Sequence, residues 1–160
     1  MEYFSSTIGL IHTLFAVAAM ISGGVVVGLN KGTATHKNVG YIYFASMVIL
    51  NVTALFTHAL YEFGPFHWLA IGSLIGVLIG MAIPVFFRHL KSWLLWHYYF
   101  MLWSYVGLIA AFFAETIVRV PALNASTNFW QLVVIASVAT YIIGGFLIEI
   151  KKNQFLRIGN

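Results

Sequence analysis

The sequence predicts an all-α membrane protein, a bundle of five transmembrane helices with its N-terminus outside and its C-terminus in the cytoplasm. Three observations predict it. Of 160 residues, 61% are hydrophobic and only 8% charged, against the roughly 25% charged residues of an ordinary soluble domain. Five apolar windows each reach the ~20 residues that a spanning helix needs. The Lys and Arg residues, 8 in all, collect almost entirely on one side of those windows. Backbone polar groups cannot be left unpaired in hydrocarbon, so five helices in a single integral-membrane domain over 1–160 is the expected architecture.

The first span, 7–29, has no basic segment before it and no small-residue cleavage motif after it. It therefore reads as a retained helix and not as a signal peptide. One of its faces carries His12, Ala16, Ala19, Gly23 and Val27, small residues that let another helix come close. Asn30-Lys31-Gly32 breaks the chain before the second span, 39–61. His36, Gly40, Tyr43, Met47, Asn51 and His58 follow one another there along a slowly rotating stripe. Asn51 falls near mid-membrane, where an unpaired amide is costly, and should face protein.

Gly64-Pro65 precedes the third span, 67–87, which His67 opens and in which Pro84 should kink or end the helix. The fourth span, 93–118, begins WLLWHYYFMLWSY. Its spacing puts His97, Met101, Ser104, Leu108, Ala111 and Glu115 on one face, with His97 and Glu115 roughly 27 Å apart along it. After Pro121 comes the fifth span, 129–150, the most uniformly apolar, marked only by Tyr141 and Gly144-Gly145. Trp68, Trp93, Trp96, Trp130 and most tyrosines fall where an aromatic belt belongs.

Orientation follows from the cations. Lys31, Lys37, Arg88, Lys91, Lys151, Lys152 and Arg157 lie on one side of the spans; Arg119 alone lies on the other, with Glu2 and Glu62. The positive-inside rule makes the first side cytoplasmic, and the expected location is the cytoplasmic membrane of a bacterium. His12, His58, His67 and Glu115 then belong to the outer end, and His36, His89 and His97 to the inner end. Ionisable residues within spans cost about 2.5–3.5 kcal/mol or more at the centre and usually face the bundle interior.

Several chemistries are excluded. Without cysteine there is no disulfide, thiolate metal site, iron–sulfur cluster or cysteine nucleophile. No P-loop, dinucleotide fingerprint or G-x-S-x-G occurs. No lysine lies within a span, so a retinal Schiff base is unavailable. The basic residues flank apolar runs, which marks orientation and not a nucleic-acid footprint.

Two segments carry a resemblance. THKNVGYIYFASMV resembles an H-[KR]-x-x-G-x-x-Y signature, and WHYYFMLWSYVGLIAAFFAETIVR resembles an H-x-x-x-M-x-x-S-Y-x-L-x-x-A-A…R signature of the same group. With IHTLFAVAAMISGG they are similar to the DUF2306 family, small membrane proteins of unknown function. The matching positions are His12, His36, Gly40, Tyr43, His97, Met101, Ser104, Tyr105 and Arg119. Where the family form often has a second arginine before the S-Y pair, this chain has Trp103. The resemblance implies a fold and a residue set, and no activity. The general shape also resembles small b-type cytochromes of the ferric-reductase and quinol-oxidising kinds, a likeness of architecture alone.

Three functions are compatible with these residues. The first is a membrane redox protein, and so a membrane oxidoreductase or electron carrier, holding haem b between histidines on different helices at similar depth. His12 with His58 meets that condition at the outer end and His36 with His97 at the inner end; Gly9, Ala16, Gly23 and Gly40 would make room, and a quinone is the natural redox partner. The second is a zinc, iron or copper site of His12, His58 and Glu115 with His67, whose open position would activate water for hydrolysis or support oxygen chemistry. The third is an assembly factor or accessory subunit whose polar stripes are helix contacts. Tyr43, Asn51, Met101, Ser104, Tyr105 and Arg119 are supporting residues in each. The expected partners are the lipid bilayer and a quinone or redox protein, with no nucleic acid; an oligomer is compatible.

Overall fold

The computed structural model describes residues 7–56, 63–120 and 129–158, and all regular structure among them is helical. In chain order the helices are α1 Thr7–Gly28, α2 Ala34–Leu55, α3 Pro65–Phe86, α4 Trp93–Arg119 and α5 Phe129–Ile158. Each is long and apolar enough to cross a membrane. The chain packs as two compact units, Met1–Met101 and Leu102–Asn160.

In the first unit α1 packs along α2, and α2 along α3. The α1–α2 pair is antiparallel: His12, early in α1, meets Thr53, late in α2, and Gly40 near the start of α2 lies against Val26 near the end of α1. The reversal is built by three residues. Lys31 Nζ donates to the carbonyls of Val26 and Val27 at 2.9 and 2.8 Å, satisfying acceptors that the end of a helix leaves orphaned and placing a cation at the negative end of its dipole. Gly32 takes a φ of +80°, a conformation open to it because it has no Cβ. Thr33 caps α2, its hydroxyl accepting the N–H of His36 at 3.2 Å.

That cap explains why α2 begins at Ala34 and not at 39. The apolar run starts at 39, but a helix starts where its first N–H groups find acceptors. His36 therefore stands in the first turn of α2 and not ahead of it. Similarly, α3 begins at Pro65, whose fixed φ and missing N–H suit the first helical position, instead of at 67. Pro84 does not end α3, which continues to Phe86.

In the second unit α4 and α5 pack antiparallel through two glycines. A Cβ on Gly144 would stand 2.5 Å from Val106 Cγ2, and one on Gly145 would stand 3.0 Å from the Trp103 ring. Trp103 also stacks on Tyr141, with ring centroids 6.0 Å apart and planes 27° from parallel. Helix α5 runs past the expected 150 to Ile158. The segment KKNQFLR contains no helix breaker, and Lys152 pairs with Glu149 one turn back at 3.6 Å, so polar residues extend the helix beyond its apolar part.

Ala19, Tyr43, Met47 and Val77 are the most deeply buried apolar side chains. Large apolar residues such as Ile21, Phe86, Ile142 and Phe146 are more than 60% exposed. An apolar exterior of this extent fits lipid contact.

Candidate functional site

The site grows from a missing hydrogen bond. In an α-helix the carbonyl of residue i accepts from the N–H of residue i+4. For Gly80 that donor would be Pro84, which has no N–H. The Gly80 carbonyl is taken instead by His97 on α4, whose Nδ1 lies 2.7 Å away. A carbonyl only accepts, so Nδ1 carries the proton and the lone pair of the neutral ring sits on Nε2. The bond is possible because Gly80 has no side chain. A Cβ there would stand 2.8 Å from Met101 Sδ and 3.1 Å from Phe100 Cβ.

His36 stands at the same end of the first unit. It is half-buried, its ring hydrogen-bonds the carbonyl of Val26, and Lys31 and His97 lie within electrostatic reach of it. Its Nδ1 is buried and has no hydrogen-bond partner. The basic end of the first unit thus holds two imidazoles within each other's electrostatic reach. One has its tautomer fixed by a backbone carbonyl, and the other has an unsatisfied buried nitrogen.

His12 repeats the first arrangement at the opposite end. It is buried, and its Nδ1 lies 3.2 Å from Thr53 Oγ1. The single hydroxyl proton of Thr53 points to the carbonyls of Ile49 and Leu50, at 2.8 and 2.9 Å. The oxygen facing His12 is therefore an acceptor, Nδ1 is the donor, and the lone pair again falls on Nε2. His58, its expected companion, lies outside the described residues.

The remaining expected residues divide. His67 is buried, but its Nδ1 accepts the N–H of Gly64 at 3.1 Å and its ring stacks on Phe63 with centroids 4.9 Å apart. It caps α3, and its proton is on Nε2. His89 is exposed and lies against Phe87. The stripe on α2 is the buried face: Tyr43, Met47 and Asn51 are each less than 10% exposed. Asn51 donates to the Met47 carbonyl at 2.8 Å, so part of its amide is satisfied within its own helix. Met101 packs on Gly80. On α4, Ser104 and Leu108 are buried as expected but Ala111 is exposed. Burial there passes to Ala110 and Ala114, which continue at four-residue steps from Val106, the residue that meets Gly144. Tyr105 and Glu115 are half-buried. The Arg119 side chain lies outside the described residues.

Sequence reading missed Gly80 and Thr53, and gave Pro84 a helix-shaping role only. A signal for Gly80 was present: a proline within a span frees the carbonyl four residues earlier, and a histidine opening the next span is a donor of suitable reach. Among the described residues no three His, Cys, Asp or Glu side chains converge as a metal site.

The family model described as "Predicted membrane protein (DUF2306)" matches residues 9–151, and the chain belongs to that family. No curated protein and no solved structure matches it.

Proposed function

We propose that this DUF2306 protein is a haem b-binding membrane redox protein, with His36 and His97 as the residues that would hold the haem at the basic end of the first unit. One observation carries the reading: His97 gives its Nδ1 proton to the Gly80 carbonyl at 2.7 Å and so keeps a lone pair on Nε2. A ligand histidine is ordinarily held this way, its second nitrogen bonded to a carbonyl or carboxylate that fixes tautomer and ring orientation. The buried, unsatisfied Nδ1 of His36 supports the same reading, since an unpaired polar atom away from water asks for a partner.

Haem suits this end better than a bare ion. A structural or catalytic ion wants three or more protein ligands, and the described residues of the first unit contain no Asp, Glu or Cys. Haem brings four nitrogens of its own and needs two histidines. When bound it supplies a one-electron couple. The chain's own residues do the rest: Gly80 and Pro84 hold His97 in one tautomer, and Val26 steadies His36. His12, held by Thr53 in the same manner, would serve a second site with His58 at the other end. The basic end is cytoplasmic by the positive-inside rule, and a membrane quinol is the fitting electron donor.

The test is a visible spectrum of detergent-purified protein from haem-replete cells, before and after dithionite, with metal analysis on the same sample. The protein should show a Soret band that moves on reduction and is lost in His36→Ala. Colourless protein, correctly folded and free of porphyrin, would overturn it.

A further inference from the structure

The connection between α3 and α4 has a chemistry of its own. Residues 86–92 read FFRHLKS, and the whole segment is exposed. Arg88 is held in place on two sides. Its Nε donates to the carbonyl of Pro84, and its guanidinium carbon lies 5.7 Å over the ring of Trp93. With Nε engaged, the two terminal amino groups remain, the fork that grips two oxygens of one phosphate.

No Asp or Glu among the described residues of the first unit competes for that fork. Those residues include Lys31, Lys37, Arg88 and Lys91. Lys31 is spent on the carbonyls that end α1. Arg88 and Lys91 leave positive charge between the ends of α3 and α4, two helices that are apolar enough to span a membrane. Exposed Phe86, Phe87, Leu90 and Trp96 interleave with the cations. A soluble anion has no use for that apolar surface, whereas a lipid has: its phosphate meets the cations and its acyl chains meet the aromatic and aliphatic side chains.

We propose that the α3–α4 connection, centred on Arg88, is a binding site for the phosphate of an anionic phospholipid. The proposal rests on the membrane-spanning fold and is independent of the haem reading.

The test uses the full chain in neutral detergent, titrated with phosphatidylglycerol, with phosphatidylcholine of the same acyl chains, or with inorganic phosphate, bound lipid being counted by native mass spectrometry. Phosphatidylglycerol should bind about tenfold more tightly than phosphatidylcholine, whose phosphate is neutralised by its own choline cation and so is drawn less strongly to Arg88. Arg88→Gln should remove that preference. Arg88→Lys, which keeps the charge and loses the fork, should weaken it severalfold, and this second variant decides the matter if the first does not fold. Millimolar inorganic phosphate should leave the bound lipid in place. Equal binding of the two lipids, or an unchanged preference in both variants, would overturn the proposal. Full displacement of the lipid by inorganic phosphate would overturn it in favour of a free phosphate site.

Discussion

His97 on α4 stands in for the N–H that Pro84 withholds from α3, its Nδ1 lying 2.7 Å from the Gly80 carbonyl. Two jobs thereby fall on two nitrogens of one ring. Nδ1 completes the backbone of a neighbouring helix, which any membrane helix containing proline requires of its surroundings. Nε2 is left with a lone pair for a ligand. The two jobs can be separated experimentally.

His97→Ala leaves the Gly80 carbonyl without a donor and should lower stability by about 1–3 kcal/mol, the cost of an unsatisfied buried acceptor. His97→Asn carries an amide nitrogen at the position of Nδ1 and should recover most of that loss while offering no ligand nitrogen. Thermal unfolding in detergent checks the order wild type, Asn, Ala. If Ala and Asn unfold alike, the hydrogen bond contributes little.

Pro84→Ala restores a backbone N–H aimed at Gly80. That donor competes with His97, so the ring should pass from a single Nδ1-protonated form to a mixture of tautomers. Nitrogen-15 imidazole shifts in labelled protein read this directly. Unchanged shifts would mean that the proline has no part in fixing the ring.

Gly80→Ala would place a Cβ 2.8 Å from Met101 Sδ and 3.1 Å from Phe100 Cβ. The methionine tail can move but Phe100 Cβ is fixed to its backbone, so the helices must separate. Overpacking of this kind costs about 1–3 kcal/mol. The double variant Gly80→Ala, Met101→Ala should recover only part of the loss, as measured by thermal unfolding.

Gly144→Ala meets Val106 at Cγ2, Cγ1 and Cβ, at 2.5, 2.7 and 3.2 Å. A β-branched side chain in a helix has one strongly preferred rotamer and little freedom to yield. The α4–α5 pair should lose about 1–3 kcal/mol, and adding Val106→Ala should return most of it. A loss that persists in the double variant would point to a different seam.

The spans, the buried α2 stripe and the small-residue face of α1 are legible in the sequence because apolar length and helical period are local properties. Helix starts are less so. Ala34 and Pro65 begin their helices because Thr33 and Gly64 precede them, and capping is decided by single hydrogen bonds and not by hydropathy. At the site, His12, His36 and His97 stand out as ionisable residues in apolar runs. The tautomers of His12 and His97 do not, because each is set by an acceptor on another helix: Thr53 for His12 and Gly80 for His97. His67 shows the limit most clearly. By composition it is a ligand like the others, and only the N–H of Gly64 on its Nδ1 marks it as a cap. The burial on α4 past Leu108 is likewise set by a partner helix, through Gly144 on α5.

Whether His97 would hold haem through Nε2 is decided by dithionite-reduced visible spectra of wild type and His97→Asn, purified side by side with their unfolding temperatures recorded. The wild type should show a reduced Soret band, and a folded His97→Asn protein should lack it. A folded wild type without the band, or a His97→Asn protein that keeps it unchanged, would rule out His97 as a haem ligand and leave it as the residue that repairs a proline-broken helix.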